Sequence, residues 1–162
     1  MCIRDSMKTA FYTTDIGIIK ITYKQKISKI ELVDQTNENN DKTLETNKVI
    51  SQINEYLDGK RKEFSIYDLC KAEGTNFQQK VWQELLNIPY GQTKTYKDIA
   101  KNIGNEKAVR AVATAIGKNP LMVIIPCHRV IGSDGKLRGY AYGVDVKGKL
   151  INLENKSYFF LK

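Results

Sequence analysis

The strongest chemical signal in the sequence is a pair of neighbours. Cys127 follows the apolar run 121–125 and Pro126, and His128 beside it is the only histidine of the chain. A thiol with an ordinary pKa of about 8.5 is a poor nucleophile until its proton is taken. An imidazole can take it, directly or through a water. Adjacent residues on an extended strand point to opposite faces, so the two side chains meet only if the backbone turns after Pro126. The same string also fits a buried structural cysteine beside a surface histidine. Metal binding needs about four ligands. The pool is Cys2, Cys70, Cys127 and His128, with Cys2 at the extreme terminus and Cys70 isolated, so no metal is expected. Three cysteines cannot close a disulfide framework, and reducing, intracellular conditions fit best.

The elements that must position this pair are readable on its N-terminal side. The run 121–125 reads as a buried strand ending in a loop that presents Cys127. Thr75-Asn76-Phe77-Gln78 has capping-box form, and Phe77, Val81, Trp82 and Leu85 continue as one apolar helix face ending before Pro89. Tyr90-Gly91-Gln92 reads as a turn. Thr95-Tyr96-Lys97-Asp98 is a second capping box, opening a short helix marked by Tyr96, Ile99, Ala100 and Ile103 and stopped by Gly104. Asn105 is expected to cap a third helix with Val109, Val112, Ala113 and Ile116 inward. Two helices joined by a tight glycine turn make helix-turn-helix geometry. The outer face of the third helix carries Lys107, Arg110, Ala111, Thr114 and Lys118. Cations meet phosphates, and small side chains let a helix approach a nucleic-acid groove. A solvated face of an ordinary αα-hairpin fits the same pattern.

The N-terminal half has another character. Phe11-Tyr12, 16–21 and 27–33 are β-branched and aromatic, as in antiparallel strands. Residues 35–42 read as a polar loop. Val49, Ile50, Ile53 and Leu57 have helical spacing, with Gly59 as a stop. A boundary is expected near 70–75, separating an N-terminal α/β domain (7–74) from a C-terminal domain (75–162). Residues 1–6 read as a non-native leader, because a strand pattern begins just after Met7. The chain has 162 residues, 41% hydrophobic and 27% charged, which fits a globule with a real core. No stretch approaches the roughly 18 apolar residues of a membrane span, and no secretory segment follows the start, so neither a membrane partner nor export is expected. Residues 1–74 carry twelve basic and twelve acidic side chains, and residues 75–162 carry fourteen and six. The whole net charge of +8 therefore lies in the second half. That fits a polyanion-binding region or a lysine-rich solvated surface.

Ile125-Pro126-Cys127-His128-Arg129-Val130, preceded by Gly117-Lys118-Asn119-Pro120, resembles the signature of the O6-alkylguanine-DNA alkyltransferases, also called methylated-DNA–protein-cysteine methyltransferases. The resemblance runs over residues 75–155 in order, through the helix at 77–86, Ile88-Pro89-Tyr90-Gly91, Thr95-Tyr96, 108–115 and Gly139-Tyr140 to Leu153-Glu154. The N-terminal third resembles the family only in layout. The resemblance implies an α+β fold: a ribonuclease H-like antiparallel sheet with helices, then a helical, winged helix-turn-helix domain. It implies direct reversal of DNA damage, in which the cysteine takes an alkyl group from O6 of guanine and keeps it as a thioether. One protein then repairs one lesion, without metal or organic cofactor. The expected partner is double-stranded DNA containing O6-alkylguanine, bound by a monomer in a microbial cytoplasm, or in a nucleus if the host is eukaryotic. The target nucleotide must be flipped out of the stack.

Residue by residue, the resemblance implies Cys127 as alkyl acceptor, His128 as its base through a water, Glu154 as the carboxylate orienting the imidazole, and Asn119 as a brace of the active-site turn. Tyr96 matches the tyrosine beside the flipped nucleotide, where its hydroxyl assists the leaving guanine. Arg110 matches the side chain that fills the gap in the base stack, on a helix expected in the minor groove with Ala111 and Thr114 against it and Lys107 and Lys118 near phosphates. Thr75 matches a phosphate contact at a helix N-terminus. Val130, Tyr140, Ala141, Tyr142 and Ile116 are expected to line the guanine pocket. Ala141 stands where the family often has serine, and Tyr142 where some members have glycine, so a narrower pocket is expected. Lys147 matches a family lysine near the site and, nearly as well, a solvated one. Three other readings compete. A lesion-sensing module on this scaffold lacks the acceptor cysteine, which Cys127 supplies here. A sequence-specific regulator needs base-edge readers along the recognition helix, and this alanine-rich helix has few. A cysteine hydrolase needs an oxyanion hole and turnover.

Overall fold

The computed structural model describes residues 6–37, 39–135 and 140–155. Residues 1–5 of the expected leader, and Gly139 of the motif, lie outside the described residues. The chain folds as two units. The first is Met1–Glu73 with Pro120–Met122, and the second is Gly74–Asn119 with Val123–Lys162.

Unit 1 is built on a three-stranded antiparallel meander, β1 (Lys8–Thr14), β2 (Gly17–Tyr23) and β3 (Ile27–Val33). Period-two alternation sets its register. Ala10 lies opposite Ile21 and Ile21 opposite Ile30, and all three are fully buried. Helix α1 (Leu44–Leu57) opens with a capping box between Thr43 and Thr46 and packs on β1. Its inward face is Val49, Ile50, Ile53 and Tyr56, whereas the expected Leu57 is only half-buried. Residues 120–122 return to the edge of β3: the Ile30 N–H donates to the Pro120 carbonyl (2.7 Å) and the Met122 N–H to the Ile30 carbonyl (3.2 Å).

Unit 2 begins with α2 (Asn76–Leu86), whose Thr75–Gln78 capping box forms as expected, with Val81, Trp82 and Leu85 buried. The Trp82 indole N–H donates to the Ala115 carbonyl at 2.8 Å, which ties α2 to α4 (Val109–Gly117). Between them, α3 (Tyr96–Asn102) opens with the Thr95–Asp98 capping box and is followed by Gly104 in the left-handed region (φ 83°). Helix α4 starts later than expected. Residues 105–108 form a turn closed by the Ala108 N–H on the Asn105 carbonyl, so Asn105 does not cap the helix. The buried face of α4 is Val112, Ala115 and Ile116, with Val109 and Ala113 half-exposed.

The run 121–125 is fully buried but is not a continuous strand. Val123 adopts a φ of 72°, a strained conformation for a β-branched residue, and breaks the run into isolated bridges around a turn. A single 3₁₀ turn, Cys127–Arg129, follows and leads into β5 (Val130–Ile131), which pairs in parallel with β4 (Lys94–Thr95). Helix α5 (Val144–Glu154) closes the described part of the unit.

Candidate active site

The 3₁₀ turn supplies what an extended strand could not. Pro126 has a ψ of 66°, the Cys127 N–H donates to the Ile125 carbonyl (2.8 Å) and the Arg129 N–H to the Pro126 carbonyl (3.1 Å). Three successive side chains, Cys127, His128 and Arg129, thereby point inward, and all are buried. The Asn119 amide donates to the same Ile125 carbonyl at 2.8 Å, which locks the turn against the end of α4.

Behind His128 stands Glu154, at the last position of α5. His128 Nε2 lies 2.7 Å from Glu154 Oε2, and both side chains are almost fully buried. The carboxylate also accepts from Arg129 Nε (2.8 Å), Arg129 Nη2 (2.9 Å) and the Gly91 N–H (3.1 Å). Burial pushes the Glu154 carboxyl up, but the hydrogen bonds and charges of His128 and Arg129 more than offset this and hold it at about 2. Burial pushes His128 below its ordinary value, with Arg129 and Lys147 adding to the effect and Glu154 opposing it. With burial holding His128 below its ordinary value, a neutral imidazole that donates Nε2–H to the Glu154 carboxylate leaves its basic lone pair on Nδ1.

Around the thiol the charges are arranged differently. Burial raises the Cys127 pKa, while the Asn119 amide, the Lys147 ammonium and the Tyr140 hydroxyl pull it back. Lys147 is wholly buried, so the solvated alternative does not hold. Its Nζ sits 5.7 Å from the Tyr96 ring centroid. Burial lowers its pKa to about 8, opposed by the charge of a Cys127 thiolate. Burial and then Cys127 both raise the Tyr96 hydroxyl, which keeps it a proton donor.

The structure thus brings Tyr96, Asn119, Tyr140 and Lys147 to Cys127, and Glu154 to His128. Val130 and Ile116 are buried in unit 2, Tyr142 packs edge-on to Tyr140 (5.7 Å between centroids), and Ala141 is exposed. Lys107, Arg110, Ala111, Thr114 and Lys118 are exposed on or beside α4, and Thr75 is exposed at the N-terminus of α2, none of them among the groups that shift Cys127 or His128. Two contributors are not evident from sequence. Arg129 lies inside the motif, but its role depends on a carboxylate 25 residues away. Gly91, with φ 82°, offers its N–H to Glu154 where a Cβ would come within 3.3 Å of the Glu154 carbonyl. The Ile88-Pro89-Tyr90-Gly91 string is the signal that could have found it.

The chain is similar to several known proteins over most of its length. The family model for the 6-O-methylguanine DNA methyltransferase DNA binding domain matches residues 76–156. The methylated-DNA–protein-cysteine methyltransferase of Methanosarcina acetivorans is 46% identical over 138 residues, 85% of either chain. The probable methylated-DNA–protein-cysteine methyltransferase of Acanthamoeba polyphaga mimivirus is 43% identical over 156 residues, 93% of this chain and 99% of its own. Among solved structures, the O6-methylguanine methyltransferase of Mycobacterium tuberculosis superposes with a TM-score of 0.83 at 35% identity, covering 95% of this chain and 96% of its own. The M. tuberculosis OGT in complex with DNA does so at 0.83 and 36% identity, over 92% and 93%.

Proposed function

The chain belongs to the 6-O-methylguanine DNA methyltransferase family, and on that premise we propose that it repairs O6-alkylguanine in DNA by irreversible transfer of the alkyl group to Cys127. The observation that carries this reading is a buried thiol on the same 3₁₀ turn as a buried imidazole that lies 2.7 Å from the Glu154 carboxylate.

The chemistry follows from the charges. His128 takes the Cys127 proton at Nδ1, through a water, and Glu154 stabilises the imidazolium. Lys147, Asn119 and Tyr140 stabilise the thiolate. Sulfur attacks the alkyl carbon, the S–C bond forms as the C–O6 bond breaks, and the electron pair stays on the guanine. Tyr96 donates a proton to the leaving base, and the proton lost by the thiol restores the balance. The product thioether has no easy leaving chemistry, so each molecule acts once. Such an attack needs the nucleotide outside the duplex. Arg110 fills the vacated stack, Ala111 and Thr114 permit close approach of α4, Lys107, Lys118 and Thr75 meet phosphates, and Val130, Ile116, Tyr140, Ala141 and Tyr142 surround the guanine. The complex of the M. tuberculosis OGT with DNA supports DNA as the partner. Among the described residues no helix is long and apolar enough to cross a membrane, and a DNA substrate fits action in the cytoplasm of a microbe.

The test is stoichiometry. With a duplex containing O6-methylguanine in excess, nucleoside analysis is expected to show loss of the lesion up to one equivalent per protein and no more. Loss continuing beyond one equivalent, or none at all, overturns the reading.

A further inference from the structure

The proposed base works only if its carboxylate partner does not hold it protonated. A lone carboxylate at 2.7 Å favours imidazolium, which cannot accept a proton. The structure answers with a second cation on the same carboxylate. Arg129 makes a two-pronged contact with Glu154 through Nε and Nη2, while its Nη1 donates to the Ile88 carbonyl at 2.7 Å. Its guanidinium also lies 5.7 Å from the Tyr90 ring centroid. A planar fork anchored at both ends fixes the carboxylate in one orientation.

We propose that Arg129 is a positioning residue for the alkyl transfer: it holds Glu154 against His128 and shares its charge, so that the imidazole remains an acceptor for the Cys127 proton. The proposal rests on the function proposed above and adds a residue to it. Among the described residues, the charged groups that act on His128 are Glu154 and Lys147 from α5 and Arg129 from its own turn. Of the two cations, only Arg129 also binds the carboxylate that binds the imidazole. Removing its charge takes two donors away from Glu154, and the imidazole then binds its proton more tightly.

The single histidine makes this directly observable, because one imidazole signal in the proton NMR spectrum belongs to His128. Two variants of the full chain are compared with the parent, Arg129→Met and Arg129→Lys. The readouts are that NMR titration and the single-turnover transfer rate on an O6-methylguanine duplex against pH. In Arg129→Met the imidazole titration and the acid limb of the rate profile are expected to move up by roughly one pH unit or more. In Arg129→Lys, which keeps the charge and loses the fork, the acid limb stays in place and the plateau rate falls by about tenfold. An unmoved titration in a folded Arg129→Met protein overturns the proposal. Should that variant not fold, an unchanged plateau in Arg129→Lys overturns it. If the parent transfers no methyl group at any pH, the function reading fails by itself, while the NMR titration still decides the role of Arg129.

Discussion

Unit 1 buries Ala10, Ile19, Ile21, Ile30, Val49, Ile53, Tyr56 and Ile66, and its buried polar residues, Thr46 and Gln52, are neutral. Unit 2 buries a comparable apolar set and adds Cys127, His128, Arg129 and Lys147. The two described cysteines show what this difference does. Cys70, in unit 1, is half-buried, and its thiol is pushed up to about 11 by burial and by Asp68, against Lys26 alone. Cys127 is also raised by burial, but an amide, an ammonium and a phenol act against it. Desolvating several ionisable groups is costly, and unit 2 offsets part of that cost with the hydrogen bonds of Glu154 to His128 and Arg129. Net charge divides in the same way, zero over residues 1–74 and +8 over 75–162. One unit is therefore read as support and the other as reagent, so mutations should separate stability from rate.

The largest expected effect is on rate. His128→Gln or Glu154→Gln should slow methyl transfer by about 100-fold to 10,000-fold in quench-flow assays. Next comes stability alone. Ile21→Ala removes a fully buried side chain and should cost about 2–5 kcal/mol in urea unfolding, with the transfer rate of the folded protein within about twofold of the parent. A large rate loss there would break the comparison. Gly91→Ala joins both effects: its positive φ and the 3.3 Å approach to the Glu154 carbonyl predict roughly 1–3 kcal/mol of destabilisation and a slower transfer.

Acid should expose unit 2 first. His128 is depressed below its ordinary 6.5, so the unfolded chain binds the extra proton and stability falls as pH drops below about 6.5. Glu154, at about 2 against an ordinary 4.5, contributes stability above 4.5 that is lost between 4.5 and 2. Lys147, at about 8 against 10.5, opposes folding below pH 8, and that cost is relieved as pH rises toward 10.5. Thermal melts from pH 2 to 10 check all three signs. The smallest effect is on salt dependence. Lys107→Gln should reduce the slope of log binding constant against log salt by about 0.9, and Lys29→Gln in unit 1 should leave it unchanged.

Local chemistry was legible in the sequence. The capping boxes at Thr75 and Thr95 formed because a side chain and a backbone N–H three residues apart need no tertiary context. What depended on the rest of the fold was not. Asn105 has the right side chain for a cap, but a turn occupies its place. The run 121–125 has no periodicity to separate strand from buried turn, and Val123 breaks it. Cys127, His128 and Glu154 were readable as a set through the family resemblance alone. Lys147 was legible only as a choice between a lysine near the site and a solvated one, because lysine on a helix ordinarily faces water. Arg129 was hidden because its partner is set by where α5 ends.

Whether Cys127 is the alkyl acceptor is decided by intact-protein mass spectrometry with peptide mapping, after mixing the protein with duplex DNA containing O6-methylguanine. The predicted result is a gain of one methyl group per protein, located on Cys127 and absent from Cys70. An unmodified Cys127 in protein that has bound the lesion-containing duplex would contradict it.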